Sequence, residues 1–137
     1  DNYVKAVGVG ECAGVVIDLV ATLLYEAKDK LTFAQEAFED KKWSDAIYLA
    51  YAGFVNGAKA LLLAENQKTN HHAGIIDLFD TVFVETNKIQ LATSFKELVY
   101  KIRENEPSET FAKEYIATAI AFFETIETYR ALDLSKA

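Results

Sequence analysis

One proline, Pro107, in 137 residues is the feature that most restricts what this chain can fold into. Proline is the strongest interrupter of helices, and six glycines add little further punctuation, so the sequence is free to form long helices. Apolar residues follow that expectation. From Val15 to about Glu39 they recur as Val16, Val20, Leu23, Ala27, Leu31, Ala34 and Phe38, the steps of three and four that mark one helix face. Lys41-Lys42 is a polar break. Ser44 is a candidate N-cap, with Asp45 in the first turn, for a second helix to about Glu65. After the polar loop Asn66–Asn70, helices are expected over His72–Val84 and Ile89–Arg103. The run Glu104-Asn105-Glu106-Pro107-Ser108 has helix-start chemistry, and a last helix follows from Glu109 to Ala131. Long helices with short connections predict an all-α antiparallel bundle of about five helices over residues 15–137. The preceding arm, residues 1–14, reads as irregular.

The second helix carries two stripes. Ile47, Tyr51, Phe54, Leu61 and Leu62 make a large apolar face. Ala46, Ala50, Gly53, Gly57, Ala60 and Ala64 make a stripe of small residues. Glycine inside a helix costs about 1 kcal/mol relative to alanine. Two such residues are tolerated where another backbone comes close, so the stripe predicts a tight helix–helix contact, within the chain or with a second copy.

Charge and cysteine usage restrict function. Twenty-one acidic residues against 14 basic leave a net charge of -7, which argues against a general nucleic-acid binder, because phosphate neutralisation needs clustered Lys and Arg. Arg103 and Arg130 are the only arginines. The single cysteine, Cys12, excludes an internal disulfide and a self-contained cysteine-ligated cluster. The stretch Ala13–Leu24 is about two-thirds of the roughly 20 residues of a membrane span and contains Asp18, so no membrane partner is expected. Cysteine usage and the lack of a visible targeting segment point to the cytoplasm. There is no methionine, so the chain reads as a processed or excised piece of a larger protein.

Local motifs are weak. Gly8-x-Gly10-x-x-Ala13 has dinucleotide-loop spacing, but the helical pattern that follows offers no further parallel strands. His71-His72 with Asp77 and Asp80 lacks metal-ligand spacing, since adjacent residues on a helix point about 100° apart. No catalytic residue and no metal ligand is assigned.

The middle of the chain resembles a known family. Asp45-Ala46-Ile47-Tyr48-Leu49-Ala50-Tyr51-Ala52-Gly53-Phe54, continuing to Ala58-Lys59-Ala60-Leu61-Leu62-Leu63, is similar to the second helix of HEPN domains, the higher-eukaryote and prokaryote nucleotide-binding family. The likeness continues through His72-Ala73-Gly74-Ile75-Ile76-Asp77-Leu78-Phe79 and Phe83-Val84, then through Ala119, Phe122-Phe123 and Ile126-Glu127. It covers roughly Leu31 to Arg130 and implies an antiparallel bundle that often dimerises. HEPN ribonucleases carry Arg, four to six residues, then His at the start of the last helix. Arg103 occupies the Arg position, but Glu104–Glu109 contain no His, and both histidines precede Arg103. The resemblance therefore implies a non-catalytic member.

Val7-Gly8-Val9-Gly10-Glu11-Cys12-Ala13-Gly14 also resembles the junction of bacterial sirohaem-dependent sulfite or nitrite reductases that end in a HEPN-like extension. That resemblance implies an accessory or assembly domain, partnered by a preceding reductase domain or by self-association. Sirohaem and an iron–sulfur cluster would sit in the parent protein and no cofactor in this chain. The alternative is a HEPN protein that binds nucleotide or RNA, as a toxin or nucleotidyltransferase partner, through a pocket near Tyr48, Tyr51 and Arg103.

Overall fold

The computed structural model describes the backbone of residues 2–136 and the side chains of residues 14–136. The elements in chain order are α1 (Asn2–Glu39), α2 (Trp43–Ala64), α3 (His72–Phe79), a π-helical segment (Asp80–Val84), α4 (Phe95–Val99), α5 (Lys101–Glu104) and α6 (Glu109–Ser135). The described residues form an all-α bundle. Helix α1 packs along α2, α6 lies against both, α3 closes the remaining side of α2, and α4 packs on α3 and the π-helical segment.

The α1–α2 turn shows why two lysines suffice as a break. Lys41 adopts a left-handed backbone (φ 62°). Its N–H donates to Phe38 O at 3.0 Å, and the Lys42 N–H donates to Ala37 O at 2.9 Å. These bonds satisfy carbonyls left free at the helix end in the Schellman pattern. The end of α2 repeats the device with Asn66, also at φ 62°. There Asn66 N–H donates to Leu63 O and Gln67 N–H to Leu62 O. Asparagine tolerates this conformation better than most residues.

Four expectations are corrected. Helix α1 begins at Asn2, so the backbone expected to be irregular is helical; glycine costs only about 1 kcal/mol per position and no proline interrupts the run. The side chains of the Gly8–Ala13 motif, Cys12 among them, lie outside the described residues, as does most of the reductase-like junction. Ser44 is not the cap of α2, which starts at Trp43 with Lys42 in the cap position and no side-chain cap. The helix expected over Ile89–Arg103 starts only at Phe95 and is divided at Tyr100. The reason is local competition for backbone donors. Ser94 Oγ accepts from the Glu97 N–H at 3.1 Å, while the Asp80 carboxylate accepts from the N–H groups of Phe95 and Lys96 at 2.7 and 3.0 Å. The start of α4 is therefore capped twice, once from another element. Finally, the helix expected over His72–Val84 widens after Phe79, where the Glu85 N–H bonds Asp80 O five residues back.

An aromatic cluster fills the core. Phe54 of α2, Phe79 of α3 and Phe95 of α4 are wholly buried against Phe122 of α6, and Phe83 of the π-helical segment, also wholly buried, packs on Phe79 and Tyr129. Ring centroids lie 4.6 Å apart for Phe79–Phe95 and 4.7 Å for Phe95–Phe122. Tyr115 of α6 joins them, and its hydroxyl donates to Val99 O at 2.7 Å. Burial pushes its phenol well above the usual tyrosine range.

Helix α2 is long and apolar enough to cross a membrane by length and composition, a property expected of no segment from Ala13–Leu24 alone. Here it is the central helix of the bundle, with most of that surface buried. Its small-residue stripe faces α1 and α6 of the same chain. Ala46, Ala50, Gly53, Gly57 and Ala60 are buried and Ala64 is half-buried. A Cβ at Gly53 would stand 2.6 Å from Leu31 Cδ2 and 2.9 Å from its Cγ, whereas one at Gly57 would meet Phe122 at 3.6 Å. The two glycines should therefore respond oppositely. Gly57→Ala relieves the helix penalty in ordinary contact and is expected to raise stability by up to about 1 kcal/mol. Gly53→Ala forces buried Leu31 aside, at an overpacking cost of about 1–3 kcal/mol that outweighs the same relief. Urea unfolding of the two variants checks this, and equal shifts would contradict the stripe's assignment.

Candidate functional site

Helix α2 presents Tyr48 outward, 63% exposed, with Tyr51 one turn further on. Their ring centroids are 6.3 Å apart. On α5 the Arg103 guanidinium lies 3.9 Å from the centroid of the ring of Tyr100, the residue that joins α4 to α5. That geometry is a stacked cation–π pair, which fixes a planar charged group in place. A third contribution was missed in the sequence. His72, the first residue of α3, packs on Tyr51 with ring centroids 5.7 Å apart, and the Tyr51 hydroxyl lies 3.1 Å from its Nδ1. The hydroxyl donates there when the ring carries its proton on Nε2.

These groups share one environment. Burial pushes the Tyr51 phenol up from its ordinary value; Tyr100 and Tyr48 act in the same direction and Arg103 against them. Of the residues grouped from sequence, Tyr48 and Tyr51 are in ring contact and His72 joins them, while Arg103 touches Tyr100 and reaches Tyr51 only through its charge. Beyond Tyr48 the surface turns acidic: a cleft of about 370 Å³ beside it is lined by Asp40 and Asp45 as well as Lys42. The site offers flat rings for stacking, one fixed cation, and an imidazole whose Nε2 is not engaged by Tyr51. Asp77 and Asp80 do not join His71-His72. Asp80 caps α4, Asp77 lies 3.8 Å from Lys96 Nζ, and among the described residues no three His, Cys, Asp or Glu side chains form a metal-holding group.

The HEPN domain family matches residues 20–129. The chain belongs to the HEPN family. It is also similar to a protein named "Putative toxin MJ0605" from Methanocaldococcus jannaschii, 31% identical over 115 residues, which span 79% of this chain and 86% of that relative. As a HEPN domain, the chain keeps an Arg ahead of α6 but has no His in the following turn. Its two histidines lie instead at the start of α3, His71 in the cap position and His72 first in the helix. A motif search along the chain cannot find the contact of His72 with Tyr51, because the two are 21 residues apart and meet only through the packing of α3 on α2.

Proposed function

We propose that this HEPN domain binds a nucleotide or a short single strand of RNA on the Tyr48–Tyr51–Arg103 surface and does not cleave it. The observation that carries this reading is the exposed ring cluster Tyr48–Tyr51–His72, contributed by α2 and α3, with the Arg103–Tyr100 pair close enough for its charge to act on Tyr51. Bases stack on aromatic faces and on arginine planes regardless of sequence, and each such contact contributes about 1–3 kcal/mol. The likeness to the protein named "Putative toxin MJ0605" supports the HEPN toxin reading over the accessory-domain reading. Neither comparison lends support to a reductase extension, and the small-residue stripe that motivated self-association is occupied by α1 and α6. The acidic surplus favours weak, salt-sensitive binding over tight general attachment to nucleic acid.

Calorimetric titration of uridine monophosphate and of a uridine hexanucleotide tests the reading. Tyr48→Ala and Arg103→Lys are each expected to weaken binding about tenfold, the lysine variant because it keeps the charge but loses the planar stack on Tyr100. RNA incubated with the protein should stay intact. Cleavage abolished by His72→Ala, or the absence of nucleotide binding at low salt, would overturn the proposal.

A further inference from the structure

Further along the same flank of α2 as the tyrosines lies a groove of about 470 Å³ between α2 and the loop that leads into α3. Lys59, Gln67, Lys68, Thr69, Asn70 and His71 line it, and no carboxylate does. In a chain with 21 acidic residues, a groove furnished with two lysines, two amides, a hydroxyl and an imidazole is a local reversal of charge. Every one of these side chains can donate a hydrogen bond. The wall is closely fitted: Thr69 sits so near the first turn of α3 that a Cβ at Gly74 would stand 2.9 Å from its hydroxyl.

Its position gives it meaning. Tyr48, Tyr51 and Lys59 fall on one face of α2, since successive steps of three and four residues return to the same side of a helix. Val55, between them on that face, is buried. The ends of the strip are eleven residues apart, about 16 Å along the axis. His72 packs on Tyr51 while its neighbour His71 lines the groove, so α3 joins the two regions. On the far side of Tyr48 the cleft holds Asp40 and Asp45 against a single lysine, Lys42, a net acidic lining that disfavours phosphate. A phosphate-bearing ligand stacked on the tyrosines can extend favourably in one direction only, toward Lys59.

Resting on the nucleotide reading above, we propose that this groove is a phosphate subsite. It holds the backbone of an RNA strand whose bases stack at Tyr48 and Tyr51, and it makes the protein prefer an oligonucleotide of a few residues to a mononucleotide. The lysines provide charge, the amides and Thr69 provide neutral donors, and the acidic cleft sets the strand's direction.

The test uses the full chain, with uridine monophosphate, a uridine hexanucleotide and inorganic pyrophosphate as probes. The Lys59→Gln/Lys68→Gln double variant is compared with Lys113→Gln, a control on exposed α6 surface, and thermal melting verifies that each folds. The hexanucleotide should lose about tenfold in affinity with the double variant, and its plot of log affinity against log salt should flatten by about 1.4, or 0.7 per lost phosphate contact. Binding of the mononucleotide should be unchanged, and pyrophosphate should compete with the hexanucleotide. Equal losses for both nucleotides, or an unchanged salt slope, would overturn the subsite while leaving the stacking surface intact. Loss of hexanucleotide binding in the lysine variant with none in Tyr48→Ala would support the groove and refute the stacking reading. Binding of pyrophosphate with no nucleotide binding at all would overturn both.

Discussion

Phe79→Ala is expected to remove about 3–5 kcal/mol of folding stability, the range for truncating a buried aromatic in a packed core. The residue is fully buried, with ring centroids 5.0 Å from Phe83, 4.6 Å from Phe95 and 5.3 Å from Phe122. Those three partners belong to the π-helical segment, α4 and α6, so one deletion opens a void where three elements meet. The surrounding rings cannot collapse into it without surrendering their own edge and offset contacts, each worth about 0.5–1.5 kcal/mol beyond area burial. Against a typical total of 5–15 kcal/mol, such a loss leaves a domain of this size marginal at body temperature. Chemical denaturation monitored by circular dichroism measures it. A loss below about 1 kcal/mol would mean that the rings are not packed as described.

Asp80→Ala should have the next largest effect, about 2–3 kcal/mol, through a different mechanism. The carboxylate accepts two backbone hydrogen bonds, from Phe95 at 2.7 Å and Lys96 at 3.0 Å, and bonds to charged groups contribute about 1.5–3 kcal/mol where they are shielded from water. Here one is part-buried and the other exposed, so the combined value falls near that of a single buried bond. Without the carboxylate the start of α4 keeps only Ser94 as a cap. Amide hydrogen exchange should therefore quicken first across residues 95–104, ahead of any change in α2 or α6. Asp80→Asn, which retains an acceptor oxygen, should recover part of the loss. Uniform exchange across the whole molecule would show that Asp80 does not hold this segment in particular.

The contrast between these residues explains what could be read from the chain alone. The inner faces of α1, α2 and α6 were legible because long amphipathic helices repeat one pattern many times: Val20, Ala27, Leu31 and Ala34 are buried as their spacing requires. The run from Ile89 to Arg103 was misread as one helix, since nothing near it announces that a carboxylate 15 residues earlier will cap Phe95. Similarly, Tyr48, Tyr51 and Arg103 could be grouped by residue type, whereas His72 was read as a helix-start residue of the family pattern and weighed as a metal ligand, with no link to Tyr51. The available clue was its place at the start of a helix after a polar loop, where a side chain is free to reach a neighbouring element. Contacts made by single side chains across many residues have no period, and so leave no signature in the sequence.

The segment that carries Arg103 has an uneven attachment. Asp80 secures its head, and the Tyr115 hydroxyl secures its middle at Val99, but α5 at its tail buries no residue. Tyr48 and Tyr51, by contrast, ride on the most deeply embedded helix of the bundle. The site thus resembles a vice with one jaw cast into the frame and the other on a short hinge. On the nucleotide reading proposed above, the tyrosine jaw sets where a ligand rests. With Arg103 still held on Tyr100, α5 can shift as a unit, so on that reading ligands of different thickness are accommodated without any rearrangement of the core.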